Sequence, residues 1–142
     1  MISEKDIQTR IAEILDSGGF NVVASEVDEG FRKPAVFVSV FPASAELLTC
    51  GGATEQVTDS VELKYISAVE TVEDCIEVSH ELKKLFLYQP FDIKDRRLTI
   101  QRIEFEVEGT VLYSYFDLSF IQPVDTDDDY EAMEELNLTG GI

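Results

Sequence analysis

From Leu98 to Gln122 apolar and polar residues alternate almost without interruption, broken by one turn signal, and that pattern admits few folds. Residues 97–108 and 110–122 predict two strands joined at Glu108-Gly109. A two-residue turn there sets Val107 against Thr110, Phe105 against Leu112 and Ile103 against Ser114. Opposed residues share a face, so this register gathers Ile103, Phe105, Val107 and Leu112 on one side. Leu98 and Ile100 fall out of that phase. A bulge near Gln101-Arg102 restores it, bringing Ile100 opposite Phe116 and Leu98 opposite Leu118. The other face then carries Glu104, Glu106, Val111, Tyr113, Tyr115 and Asp117. Two tyrosines and a valine among carboxylates describe either a solvated amphipathic face or one that another surface covers.

The remaining elements follow from period and punctuation. Ser3 and Asp6 suit a helix N-cap box, and Ile7, Ile11, Ile14 and Leu15 recur at helical spacing until Gly18-Gly19, predicting a helix over 3–17. Phe20 to Glu26 reads as a short strand, closed by a turn between Asp28-Glu29-Gly30 and Pro34. Ala35 to Phe41 is apolar on both faces, as in a central or covered strand, and Thr54 to Ala68 alternates as a half-buried one. Thr71 caps a second helix, with Asp74 at the reciprocal position and Val72, Cys75, Ile76, Ser79, Leu82, Leu85 and Phe86 as its apolar stripe. Gln89-Pro90 ends it. The order α-β-β-β-α-β-β predicts an α+β fold: a largely antiparallel sheet with two helices packed on one face.

Charge narrows the partners. The chain has 29 acidic and 11 basic residues, a net of −18. Seven of the acids and none of the bases lie in 125–142, so residues 1–124 still carry −11. Phosphate binding depends on Lys and Arg displacing counterions, so specific nucleic-acid binding is not expected. The 142 residues suit one α+β domain over 1–124, followed by an acidic tail at 125–142, flexible or docking on a neighbour. No apolar run approaches the ~20 residues of a membrane helix. The opening Met1-Ile2-Ser3-Glu4-Lys5-Asp6 has no basic, apolar leader, and two cysteines make no disulfide framework; both predict a reducing cytosol.

Catalytic chemistry has few candidates. His80, the one histidine, falls off the stripe of the second helix and reads as a surface residue. Cys75 lies on that stripe as a small apolar side chain, and Cys50 in Thr49-Cys50-Gly51-Gly52 has no histidine nearby in sequence to activate it. Asp125-x-Asp127-x-Asp129 begins like a calcium loop, but Tyr130 and Leu136 stand where glycine and a bidentate glutamate belong. The expectation is no catalytic, cofactor or metal site. Tyr130, Met133 and Leu136, spaced by three, suit a short amphipathic turn at 128–137 against a partner.

Two other features predict contacts. Residues 42–56 read as a long loop carrying Leu47 and Leu48, although the flanking strands extending into it would equally account for the spacing. Lys94, Arg96, Arg97 and Arg102 form a basic cluster, suited to a neighbour's acidic tail or simply solvated.

Arg32 to Val40, Glu73 to Phe86, and Phe91 to Ile100 running into the closing hairpin resemble the small tail terminator proteins of phages and prophages of Gram-positive bacteria. The likeness covers about 3–122 and leaves the acidic extension outside. It implies a structural virion component, assembled in the host cytoplasm. Its copies form a homohexameric ring at the head-proximal end of the tail tube, ending tube growth and joining the head-tail connector proteins. DNA passes through such a ring without specific binding. The resemblance carries no catalytic residues. Within it, Val111, Tyr113 and Tyr115, with Lys94, Arg96 and Arg97, are the expected subunit interface, and Leu47 and Leu48 the expected contact with tube or neighbour. The alternatives are another connector, head-completion or tail-tube-like component, then an adaptor or a small enzyme.

Overall fold

The computed structural model describes residues 1–23, 31–48 and 53–124. Helix α1 spans Glu4–Ser17. Ser3 Oγ accepts from the Asp6 N–H at 3.1 Å while the Asp6 carboxylate takes the Ser3 N–H at 2.9 Å, a complete capping box. Its inner stripe, Ile7, Ile11 and Leu15, is fully buried, each side chain contributing about 2 kcal/mol through removal from water.

Strands β1 (Val22–Val23), β2 (Ala35–Leu47) and β3 (Thr54–Ile66) follow. Next come helix α2 (Val72–Leu82) and a π-helical turn over Lys83–Leu87. The chain then forms β4 (Phe91–Ile93), β5 (Arg96–Leu98), β6 (Glu104–Glu108) and β7 (Val111–Pro123). The main sheet runs β1-β2-β3-β7-β6, antiparallel except for the parallel β1–β2 pair. Helix α1 lies over β1 and β2, and α2 over β7 and β6. Between helices and sheet sit Val36 and Val38 of β2, Val61, Leu63 and Tyr65 of β3, and Leu112, Phe116, Leu118 and Phe120 of β7. The α+β architecture with two helices on one face is the one the sequence predicts.

The local differences have identifiable causes. Of the described residues in the predicted loop 42–56, 42–47 and 54–56 are strand: β2 continues to Leu47 and β3 starts at Thr54. The alternation is broken there by a bulge between Pro42 and Ser44, which shifts the register by one residue. No bulge forms at Gln101-Arg102. Instead the predicted strand 97–108 is divided, and β5 pairs with β4 as a separate two-stranded ribbon that buries Phe91, Ile93 and Leu98. The closing hairpin turns at Gly109-Thr110, setting Val107 against Leu112 and Glu108 against Val111. Gly109 has φ +64° and Thr110 has negative φ, so glycine occupies the first turn position, where positive φ is needed. The shift is two residues, which leaves every side chain on its predicted face.

On α2 the buried residues are Cys75, Val78 and Leu82, followed by Phe86 in the π turn, while Val72 and Ile76 of the predicted stripe are each 49% exposed. Thr71 Oγ1 accepts the Asp74 N–H at 3.2 Å, but the Asp74 carboxylate turns away from the cap toward Tyr65 and Ser67. The predicted strand at 20–26 is β1 as far as Val23; its remainder lies outside the described residues.

Candidate assembly surfaces

The sheet face opposite the helices holds Val111, Tyr113 and Tyr115, which follow one another at alternate positions of β7. The two phenol rings are stacked, 6.5 Å between centroids and 7° between planes. Across the strands Tyr113 lies between Lys64 and Glu106, and Tyr115 between Glu62 and Glu104. The Lys64 ammonium stands 5.9 Å from the Tyr113 ring centroid, within cation–π range. Burial, then the Glu62 and Glu106 carboxylates, raise the Tyr115 phenol above its ordinary pKa, so it remains a neutral hydroxyl. Ile66 continues the apolar row beside Val111.

Farther along this face the character changes to hydroxyls and short polar chains. Thr58 and Ser119 hydroxyls meet at 2.8 Å, and Ser60 Oγ donates to Asp117 Oδ1 at 2.8 Å. Phe37 is covered by the ring of Phe31, edge to face at 5.1 Å, whereas Phe41 is exposed.

The margin of the sheet is a second surface. β1 pairs only with Val36 and Phe37, so no described strand flanks β2 from Val38 to Leu47. The Val36 N–H donates to Asn21 O, which puts the backbone groups of Val36, Val38, Val40 and Pro42 on the outer edge. Gln8 Nε2 satisfies the Val38 carbonyl at 3.2 Å, and Pro42 has no N–H to offer, a residue type confined to edges and bulges. Leu47 ends this edge, 61% exposed, with Leu48 beside it. Leu47 is the last residue of β2 and Leu48 follows it.

The basic cluster is divided. Lys94, at φ +51° in the ribbon turn, contacts Asp6 at 2.9 Å and donates to the Met1 carbonyl at 2.6 Å. The Lys94 contact helps the capping bonds hold the Asp6 carboxyl down at about 2, with the Ser3 N–H as the larger cause. Arg97 Nε reaches Asp92 Oδ1 at 2.8 Å, and Arg102 pairs with Glu104. Arg96 is half-buried on β5. Arg97 and Arg102 line one groove together with Tyr115, whereas Lys94 belongs to the N-terminal side of α1.

Elsewhere, Cys75 is buried and its thiol faces the Thr110 carbonyl at 3.4 Å; burial, then Asp74, raises its pKa, opposite to what a nucleophile needs. His80 is exposed on α2. Cys50, the aspartates of 125–129 and the 128–137 turn lie outside the described residues. Among the described residues no group of three His, Cys, Asp or Glu side chains is placed to hold a metal ion. None of the described helices is long and apolar enough to cross a membrane. Sequence reasoning passed over Asp59, a carboxylate 1% exposed on the helix side of β3, whose Oδ1 has no hydrogen-bond partner. Its phase with Val57 and Val61 is the signal that would have found it.

Among the described residues, the sheet face away from the helices carries an aromatic row, and no described strand flanks β2 beyond Phe37 or β7 beyond Tyr115 on their outer sides. The family model for phage tail terminator protein matches residues 6–131, and the chain belongs to that family. The match runs past residue 122, where the sequence resemblance stops, into the acidic segment. No curated protein matches the chain. As a member of a family of structural phage tail proteins, it is a virion component that works with other parts of the phage particle.

Proposed function

We propose that six copies close the head-proximal end of a tail tube as a ring, stop tube growth there and offer head-tail connector proteins their binding surface. The observation that carries this reading is the family match over 6–131. The surfaces support it. A subunit with an open β2 edge on one side and the Val111, Tyr113, Tyr115 row on its bare face can meet its neighbour edge to face. Repeated with a closing rotation, that heterologous contact makes a ring. Leu47 and Leu48, at the exposed end of β2, would reach the tube or the next subunit. A net charge of −18 keeps DNA phosphate from adhering as it passes through the bore.

The test is native mass by light scattering across a concentration series, followed by sedimentation with purified tail tubes. Six copies, about 95 kDa, bound at a single tube end are the expected result. Binding along the whole tube would indicate a tube-like subunit, and a ring that ignores tubes a connector. A stable dimer without tube binding would overturn the reading.

A further inference from the structure

β6 is the last strand of the main sheet, and no described strand lies on its far side. The Val124 N–H donates to the Ala53 carbonyl at 3.2 Å and the β3–β7 register runs without a shift. Even-numbered β7 residues therefore bond β3, and odd-numbered ones bond β6. Val111, Tyr113 and Tyr115 take the backbone groups of Glu108, Glu106 and Glu104. Phe105 and Val107 turn theirs outward along an open edge, a template for one more strand.

The two sides of that edge differ in kind. On one flank of α2 Asp74 reaches Tyr65 of β3, and next to it the Cys75 thiol faces the Thr110 carbonyl. At about 100° per residue, the opposite flank, Val72 and Ile76, is turned toward β6. Both are 49% exposed, and Val107, on the helix side of β6, is 41% exposed. On the bare side the same strand presents Glu104, Glu106 and Glu108, all exposed. The Arg102–Glu104 pair lies at the surface and can exchange for another cation. An added strand would thus meet apolar side chains on one face and carboxylates on the other.

This chain has no segment of that pattern. Its only bases two residues apart are Lys94 and Arg96, with Asp95 between them. The open β2 edge from Val38 to Leu47 has one charge, Glu46. Two β6 edges pairing with each other would set carboxylates against carboxylates.

We propose that the outer edge of β6 receives an extended segment of another protein as one more strand. Its alternate apolar side chains pack on Val72, Ile76 and Val107, and the intervening Lys or Arg side chains face Glu104, Glu106 and Glu108. A single copy carries the whole site, whether or not six copies close into a ring.

The test is an NMR titration of the full chain with a seven-residue peptide alternating Val and Lys. Bound peptide should slow exchange of the Phe105 and Val107 amides about tenfold or more, leaving Glu106, already bonded to β7, unchanged. Val72→Ser with Ile76→Ser should weaken binding about tenfold or more through lost apolar burial. Glu106→Lys with Glu108→Lys, which leaves α2 intact, should abolish binding of this peptide and confer binding of one alternating Val and Glu. No binding at millimolar peptide would overturn the proposal. So would equal binding of a peptide with the same residues in two blocks, because charge alone would then account for it. Protection of Phe105 and Val107 that rises with protein concentration without peptide would also overturn it, since the strand would come from a second copy.

Discussion

The Tyr65 phenol donates a 2.7 Å hydrogen bond to Asp74 Oδ2, joining the core face of β3 to the first turn of α2. Ser67 Oγ donates to the same oxygen at 2.6 Å and accepts the Glu70 N–H at 3.1 Å, so one carboxylate holds the whole β3–α2 connection. Burial, then the hydrogen bond to Asp74, pushes the phenol far above its ordinary pKa, so it stays protonated and remains the donor of this bond. Tyr65→Phe removes one bond and should cost about 1–2 kcal/mol in urea unfolding. Asp74→Ala leaves two hydroxyls without their acceptor and should cost more, about 2–3 kcal/mol. Equal effects from the two would show that the carboxylate does not organise the connection.

Asp59 should give the protein an unusual pH dependence. Burial, with a smaller contribution from Glu4, raises its carboxyl to about 6 from 3.8. An acid whose pKa is raised on folding binds its proton more tightly in the folded state. Stability from this group is therefore full below about pH 4, falls as pH rises to about 6, and stays low above it. Two pH units correspond to about 3 kcal/mol. Asp59→Asn should stabilise the chain by up to that amount at pH 7 and by almost nothing at pH 4. A difference between variant and parent that does not change with pH would rule out this titration as the cause.

These two carboxylates also show what could be read from the residues alone. The α1 stripe and the Ser3–Asp6 cap were legible because both depend on local spacing. So was the division of β7 into a Tyr113–Tyr115 face and a Leu112–Phe116 face, because period 2 fixes it whatever the register. The turn itself was misplaced by one residue, since Glu108-Gly109 and Gly109-Thr110 both offer a glycine and only the positive φ at Gly109 decides between them. The β4–β5 ribbon was missed because its turn is Lys94-Asp95, without glycine, and its strands are three residues each. On α2 the exchange of Ile76 for Val78 is a rotation of the stripe toward β7, settled by tertiary packing. The exposed edges were hidden for a different reason: the Pro42–Ser44 bulge erased the alternation that marks β2 as a long strand.

Gly109 offers a clean test of the turn. It has φ +64°, and a Cβ built there meets nothing within 4 Å, so a substitution carries backbone strain without a steric clash. Gly109→Ala should destabilise by about 1–2 kcal/mol, and Gly109→Asn by less, because asparagine tolerates the left-handed region. Thermal unfolding of the pair measures the difference. A loss with asparagine as large as with alanine would mean that something other than φ governs this position.

The Tyr113–Tyr115 stack permits separation of folding from assembly. Both side chains lie on the bare face, outside the core between helices and sheet. Replacing both with serine removes two half-buried rings and the cation–π contact with Lys64, which should cost the subunit about 1–2 kcal/mol and leave it folded. If this face is the ring contact, the loss of two aromatic anchors should shift assembly by at least about a hundredfold in concentration, since such anchors carry a large share of interface energy. Circular dichroism should show the native fold while light scattering shows monomer. Leu47→Ser with Leu48→Ser is the matched control: at an exposed strand end it should change stability by less than about 0.5 kcal/mol. If those leucines reach the tube, that variant keeps its ring and loses tube binding. A tyrosine variant that still forms rings at the parent concentration would remove this face from the interface and leave the open β2 edge to account for assembly.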